Sequence, residues 1–172
     1  RQFAMSWSAS GYDLPKLAAM IGTVVSNYRV VAHIADGGMG SVYRAEHSLI
    51  GRPAAIKVLH PQYSHNRSIV ERFFNEARAT SAIKHPGIVE VFDFGYLPSG
   101  EAYLVMEFLE GESLSQRLAR TGRMTEVEAA TVLRQLCSGL AAAHQRNIVH
   151  RDLKPDNVFL IADPESPGGL RA

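Results

Sequence analysis

Eight consecutive residues, His150-Arg151-Asp152-Leu153-Lys154-Pro155-Asp156-Asn157, bring together side chains suited to handling a phosphoryl group. Transfer of such a group passes through a loose transition state, so a protein mainly has to align a hydroxyl, neutralise phosphate charge and hold a hard cation. Asp152 can accept the hydrogen of an incoming hydroxyl and orient it. Asn157, five residues on, offers a carbonyl oxygen of the kind that Mg²⁺ takes. Lys154 can reach a phosphate oxygen. The bland alternative is a solvated polar loop in which Pro155 merely ends a helix, and the order of the segments upstream decides between the two.

Those segments have to position the eight residues. Tyr28, Val30, Val31, Val42, Tyr43, Ala55, Ile56 and Val58 supply the β-branched and aromatic character of strands. A glycine-rich turn, Ile34-Ala35-Asp36-Gly37-Gly38-Met39-Gly40-Ser41-Val42, interrupts them, and its glycines let backbone amides approach phosphate oxygens that a Cβ would keep away. Ala54-Ala55-Ile56-Lys57 sets a lysine in an apolar strand. From Ile69 to Thr80, Phe73, Ala77 and Thr80 recur at helical spacing, which predicts a helix carrying Glu76. Ala102 to Leu109 reads as a buried strand leaving into a linker, with the break at Glu110-Gly111-Glu112-Ser113. Glu126 to His144 predicts a helix opened by the capping box Thr125-x-x-Glu128, with Ala130, Leu133, Cys137 and Leu140 on one face. Val158 to Ile161 reads as a strand, and Leu170-Arg171-Ala172 as the start of its partner after a turn-rich connection.

In this order the segments resemble the catalytic domain of eukaryotic-type (Hanks-type) serine/threonine protein kinases, from about Tyr28 to the last residue. The octapeptide matches H-R-D-L-x-x-x-N at every specified position, and a lysine two residues after the aspartate is the serine/threonine pattern. Gly37, Gly40 and Val42 match G-x-G-x-x-G-x-V, with Ala35 in place of the first glycine; Ala54 to Lys57 is similar to V-A-I-K, with alanine first. The Gly-Gly-Met-Gly turn with Val-Tyr-Arg-Ala, and His85-Pro86-Gly87-Ile88-Val89, look most like bacterial members. The resemblance implies an α+β, protein-kinase-like fold, with a complete small lobe (antiparallel sheet plus one helix) and the first part of the helical large lobe. It divides the chain into an N-terminal extension over 1–27, the small lobe over 28–108 and a partial large lobe over 109–172.

The resemblance also implies ATP and Mg²⁺ as cofactors and a protein substrate with a Ser or Thr acceptor. Asp152 is then the catalytic base, Lys154 a phosphate contact and Asn157 a metal ligand. Lys57 anchors the α and β phosphates, and Glu76 is its counter-charge in preference to Glu71. Ile34, Ala35, Asp36, Gly37, Gly38, Met39, Gly40, Ser41 and Val42 cover the nucleotide. Met106 stands at the back of the adenine pocket, where the Glu107 carbonyl and Leu109 amide bond the base. Ile34, Val42, Ala55 and Phe159 form its apolar walls, although the same positions suit plain core residues equally.

Asp93-Phe94-Gly95 spells the family's metal-binding triplet but precedes the catalytic loop, in an apolar run resembling the fourth strand of the small lobe. Asp163 follows the loop but is succeeded by Pro164 and comes too soon. The expectation is therefore a kinase truncated before its D-F-G, with little turnover alone and a partly uncovered apolar face on the helix from Glu126. The alternative is a non-catalytic pseudokinase fragment that binds nucleotide or a partner. A small-molecule phosphotransferase is disfavoured by Arg151 and Lys154.

Composition sets the outer bounds. At 172 residues, 46% hydrophobic and 20% charged, the chain has the balance of a soluble globular protein. Eighteen basic against seventeen acidic side chains give a formal charge of +1, which makes no electrostatic case for nucleic acid or a membrane surface. The single Cys137 excludes an intrachain disulfide and reads as core. His60 and His65 lack cysteine or acidic ligands at zinc-site spacing. No apolar stretch is long enough to span a membrane and no cleavable signal pattern is visible, so a cytoplasmic location is expected. Arg1 to Ala19 match no kinase element, and Met20 is a sensible start.

Overall fold

A computed structural model describes residues 20–166 and 169–172, so the expectation for Arg1 to Ala19 lies outside the described residues. The chain forms two compact units, residues 20–81 with 90–108, and residues 82–89 with 109–172.

The first unit is built on a six-stranded antiparallel sheet of order β1-β2-β3-β4-β6-β5. Its strands are β1 (Val24–Val25), β2 (Tyr28–Asp36), β3 (Gly40–His47), β4 (Pro53–Leu59), β5 (Val91–Tyr96) and β6 (Ala102–Glu107). The sheet thus starts ahead of Tyr28, where the sequence reading begins the small lobe. Helices α1 (Pro61–Ser64) and α2 (Arg67–Ser81) lie between β4 and β5 in sequence. The β2–β3 hairpin stays in register from Tyr28↔His47 to Asp36↔Ser41, apart from bulges near Ala32 and Ala35.

The first core of this unit gathers Val30, Tyr43, Ala45, Ala54, Ile56 and Val105. A second gathers Leu59, Ala102 and Leu104 with Val70, Phe73, Phe74 and Ala77 of α2. Burying an aromatic side chain such as Phe73 contributes about 2–3 kcal/mol, so this apolar stripe holds the helix more firmly than its propensity does. The Asn66 carboxamide oxygen accepts the Ser68 amide at 3.1 Å at the start of α2. Because β4 is paired with both β3 and β6, six of its seven residues are buried, and Lys57 is among them.

The second unit pairs β7 (Gly111–Ser113), β8 (Phe159–Ala162) and β9 (Leu170–Arg171) as an antiparallel sheet. The last two are the strand pair expected from the sequence. Gly111 is required there, since a Cβ would lie 2.0 Å from the Leu160 carbonyl oxygen. Two helices, α3 (Leu114–Thr121) and α4 (Glu126–His144), each open with a complete capping box, from Ser113 with Gln116 and from Thr125 with Glu128. Each box satisfies amides that the first helical turn leaves without a partner.

The face of α4 that carries Ala130, Leu133 and Cys137 is partly uncovered, and the expectation that Cys137 lies in the core needs correction. Cys137 is exposed, Leu133 is 59% exposed, and Ala130 is exposed too. The buried residues are Val132, Gly139 and Ala143. Val132 packs with Val158 and Leu160, and Ala143 packs with Ile83 and Ile88. Gly139 sits against residue 87, where a Cβ would come 3.2 Å from the Gly87 carbonyl oxygen. His85 completes this docking, with Nδ1 accepting the Gly87 amide at 2.9 Å and Nε2 at 3.0 Å from Ser138 Oγ. Among the described residues, no helix is long and apolar enough to cross a membrane.

Candidate active site

The sequence-predicted residues fall on both units, and each unit's set has its own chemistry. In the first, the turn between β2 and β3 carries the glycine-rich residues. Asp36 braces it: its Oδ1 accepts the Ser41 hydroxyl at 2.6 Å and lies 3.2 Å from His33 Nε2. Gly37 N–H closes the turn on the Gly40 carbonyl at 2.8 Å. At Gly40 only glycine fits, because a Cβ would stand 2.2 Å from the Val58 carbonyl oxygen. Ala35, which replaces the family's first glycine, pairs with Val42 in the strand register. Gly38 and Met39 are exposed, Ile34 is 45% exposed, and Val42 and Ala55 are buried.

Lys57 pairs with Val42 on one side and Leu104 on the other, and is 2% exposed. Its ammonium sits 5.3 Å from the centroid of the Phe73 ring, a cation–π contact that the helical spacing of Phe73 does not reveal. Burial lowers its pKa to about 8, and the Glu76 carboxylate acts in the opposite direction. Burial wins because removing a cation from water costs more than one exposed carboxylate returns. Glu71, the competing partner, is bound instead by Arg67 at 3.0 Å. Phe73 and Glu76 lie three residues apart on α2, a spacing that puts both on neighbouring parts of one face.

Met106 and Glu107 end β6, half-buried, with Met106 opposite both Ala55 and Val91. The Glu107 amide is occupied by the Glu90 carbonyl at 2.8 Å, which leaves the other backbone groups of this stretch to do any recognition. The triplet Asp93-Phe94-Gly95 lies inside β5, as the sequence placed it. Asp93 accepts its neighbour's amide, Phe94 N–H, at 2.8 Å, and Phe94 packs on Phe74 at 5.3 Å. These are strand and core roles.

In the second unit the octapeptide folds into a tight polar knot. Arg151 takes a positive φ of 63°, costly for a side chain that gains nothing from it locally. The turn aims Asp152 at its partners. Lys154 Nζ lies 2.9 Å from Asp152 Oδ2, and Asn157 Nδ2 donates to the same oxygen at 3.0 Å and to the Asp152 carbonyl at 2.7 Å. The Lys154 hydrogen bond, then that of Asn157, hold the Asp152 carboxyl below the ordinary aspartate range. Asp152 is therefore an ionised, exposed acceptor.

Asn157 is 2% exposed, and its Oδ1 is buried without a hydrogen-bond partner among the described residues. Because both Nδ2 bonds point at Asp152, the oxygen is fixed on the other side of the amide. An orphaned buried acceptor costs about 1–3 kcal/mol, and a hard cation is what such an oxygen suits. The donor chemistry at Asn157 thus fits magnesium. Phe159, half-buried, starts β8, and the Leu109 amide has no acceptor among the described residues. Asp163 is spent on its own turn, accepting Ser166 Oγ at 2.9 Å and the Glu165 amide at 3.1 Å.

Comparison with known proteins shows the family to which this fold belongs. A family model for the protein kinase domain matches residues 28–166, and the chain belongs to that family. It is 49% identical over 134 residues to the serine/threonine-protein kinase pkn2 of Myxococcus xanthus, covering 77% of this chain and 16% of that protein. It is 43% identical over 142 residues to serine/threonine-protein kinase PknA of Mycobacterium tuberculosis, covering 80% of this chain and 33% of that one. Among solved structures, the PknI kinase domain of Mycobacterium tuberculosis matches with a TM-score of 0.70 at 30% identity, covering 87% of this chain and 59% of that one. The chain thus has the protein kinase fold and bacterial serine/threonine kinase relatives, and spans a third or less of the length of the two curated relatives above.

Proposed function

We propose that this chain carries the ATP-binding, magnesium-binding and hydroxyl-orienting residues of a serine/threonine protein kinase, and that its substrates are protein Ser or Thr hydroxyls. The observation that carries the reading is the orphaned Oδ1 of buried Asn157 beside an ionised Asp152. Bound MgATP would supply the phosphoryl group and the charge neutralisation that its transfer needs. Lys57 meets the α and β phosphates, with Phe73 beneath it and Glu76 balancing its charge. The glycine-rich turn from Ile34 to Val42 covers the nucleotide, and Met106 and Glu107 receive adenine, with Ala55 as a wall. Asp152 accepts the substrate hydroxyl's hydrogen bond; a carboxylate held below its usual range is a weak base, so its first task is orientation. Lys154 neutralises both Asp152 and the incoming phosphate.

On its own this chain turns over little, because Asn157 is one magnesium ligand where kinases use two protein side chains. The test combines ATP titration with and without Mg²⁺ and phosphate incorporation into a generic Ser/Thr protein. Binding tightened by Mg²⁺, with only trace transfer that Asp152→Asn removes, is the expected result. Binding indifferent to Mg²⁺ would favour the non-catalytic, pseudokinase reading, and robust transfer would overturn the low turnover.

A further inference from the structure

His60 stands where β4 hands over to α1 and touches the glycine-rich turn twice. Its backbone amide donates to the Met39 carbonyl at 2.9 Å, and its ring Nε2 lies 3.1 Å from the Gly37 carbonyl oxygen. A carbonyl can only accept, so Nε2 carries the hydrogen. The residue is 9% exposed and is itself fixed, because its own carbonyl accepts the amides of Tyr63 at 2.9 Å and Ser64 at 3.1 Å. Pro61 follows it at the first turn of α1. His60 is therefore a rigid point, three residues beyond Lys57 in the same segment.

A peptide unit is planar and trans, so the C=O of one residue and the N–H of the next point in opposite directions. Holding the Gly37 carbonyl against the His60 ring turns the Gly38 amide the other way. Among the described residues, the Gly38 and Met39 amides have no acceptor. A Cβ added at Gly38 would meet nothing within 4 Å, so the space on that side is open. We infer that His60 is a positioning residue that latches the glycine-rich turn, so that the Gly38 amide is presented to the phosphates of a bound nucleotide. The role in nucleotide binding rests on the function proposed above; the latch itself rests on the two hydrogen bonds.

The experiment pairs His60→Phe, which keeps a ring of similar size but loses the donor, with His60→Gln, which keeps a donor. In the nucleotide-free chain, NMR of His60→Phe should show the Gly38 and Met39 amides shifted and more mobile, with those of Lys57 and Leu104 in place. Its affinity for a non-hydrolysable ATP analogue should fall about fivefold, the worth of one hydrogen bond, while adenosine binds as before. His60→Gln should restore both. Unchanged Gly38 and Met39 amides in His60→Phe would overturn the latch, and so would equal losses for adenosine and the ATP analogue. If the amides loosen but the unaltered chain binds no nucleotide, the latch stands and the kinase reading of this chain falls.

Discussion

Lys57 is 2% exposed on a strand paired on both sides, whereas the Asp152 side chain is 65% exposed on a loop held by short polar contacts. Both are charged groups suited to handling phosphate, yet they are tuned by opposite physics. The lysine is tuned by desolvation, which weakens its charge, with Phe73 and the field of Glu76 partly offsetting that cost. The aspartate is tuned by hydrogen bonds from Lys154 and Asn157, which strengthen its charge in full contact with water. A cation kept dry and close to losing its proton gains most when phosphate arrives. An anion already satisfied by partners is positioned rather than poised. The first device costs stability and the second hardly touches it.

The largest effect should follow from removing the dry charge. A drop in pKa from 10.5 to about 8 corresponds to about 3 kcal/mol of penalty on the protonated lysine in the fold. Lys57→Met, similar in length and apolar, should therefore raise unfolding free energy at pH 7 by up to about that amount in chemical denaturation, while abolishing nucleotide binding. The sign with pH follows from the same shift. Between pH 8 and 10.5 the unfolded chain holds a proton on Lys57 that the folded chain has lost, so stability rises with pH across this window and is flat in this term below it. Lys57→Met should erase the rise. Nucleotide affinity should move the other way, falling as pH passes about 8, because the free protein then loses the charge that phosphates need. A denaturation series without a rise above pH 8 would break the contrast at its stronger end.

Asn157 links the two modes, being buried like Lys57 yet acting by hydrogen bonds like the partners of Asp152. Asn157→Leu removes both Nδ2 bonds to Asp152 but also removes the orphaned Oδ1. The orphan costs about 1–3 kcal/mol, and its removal is set against the loss of two bonds, one of them to an exposed carboxylate that water can serve instead, so the net change in stability should be small. Asn157→Asp keeps an oxygen for the cation but replaces the donor with a second carboxylate beside Asp152, and should be the less stable of the two until Mg²⁺ is added. Thermal melts of both variants with and without Mg²⁺ check the order. Stabilisation of Asn157→Leu by Mg²⁺ equal to that of the unaltered chain would remove Asn157 from the metal site.

What the sequence allowed to be read follows the same division between local and distant causes. The capping boxes at Ser113 and Thr125, the β8–β9 pair and the burial of Lys57 rest on residues adjacent in sequence or on one strand's composition, and of these only the Ser113 box escaped the reading. The triplet at Asp93 was recognised as a strand because its neighbours are apolar. Cys137 does not lie in the core, as its sequence suggests, because α4 is apolar on two overlapping stripes. Ala130, Leu133 and Cys137 satisfy helical spacing as well as Val132, Gly139 and Ala143 do. Only the partners Ile88, Val158 and Leu160 choose between the stripes, and they lie far away in sequence. His60 left no pattern at all, since a ring bonded to a carbonyl 23 residues upstream needs no repeat and no particular neighbour.

The smallest effect on stability belongs to Asp152. Its carboxylate is exposed and its pair with Lys154 is of the surface kind, which contributes little to stability. Asp152→Asn keeps the side chain's shape and loses its charge, so the denaturation midpoint at pH 7 should barely move. Its lowered pKa makes any contribution present above the ordinary aspartate range and lost as pH falls through the depressed value, so the variant and the unaltered chain should converge in acid. Under the proposed function, phosphoryl transfer to the acceptor hydroxyl should respond far more than stability does, because the carboxylate's first task there is to orient that hydroxyl. If Asp152→Asn instead unfolds as readily as a core variant, then Asp152 holds the loop rather than the substrate, and the contrast with Lys57 dissolves into two structural charges.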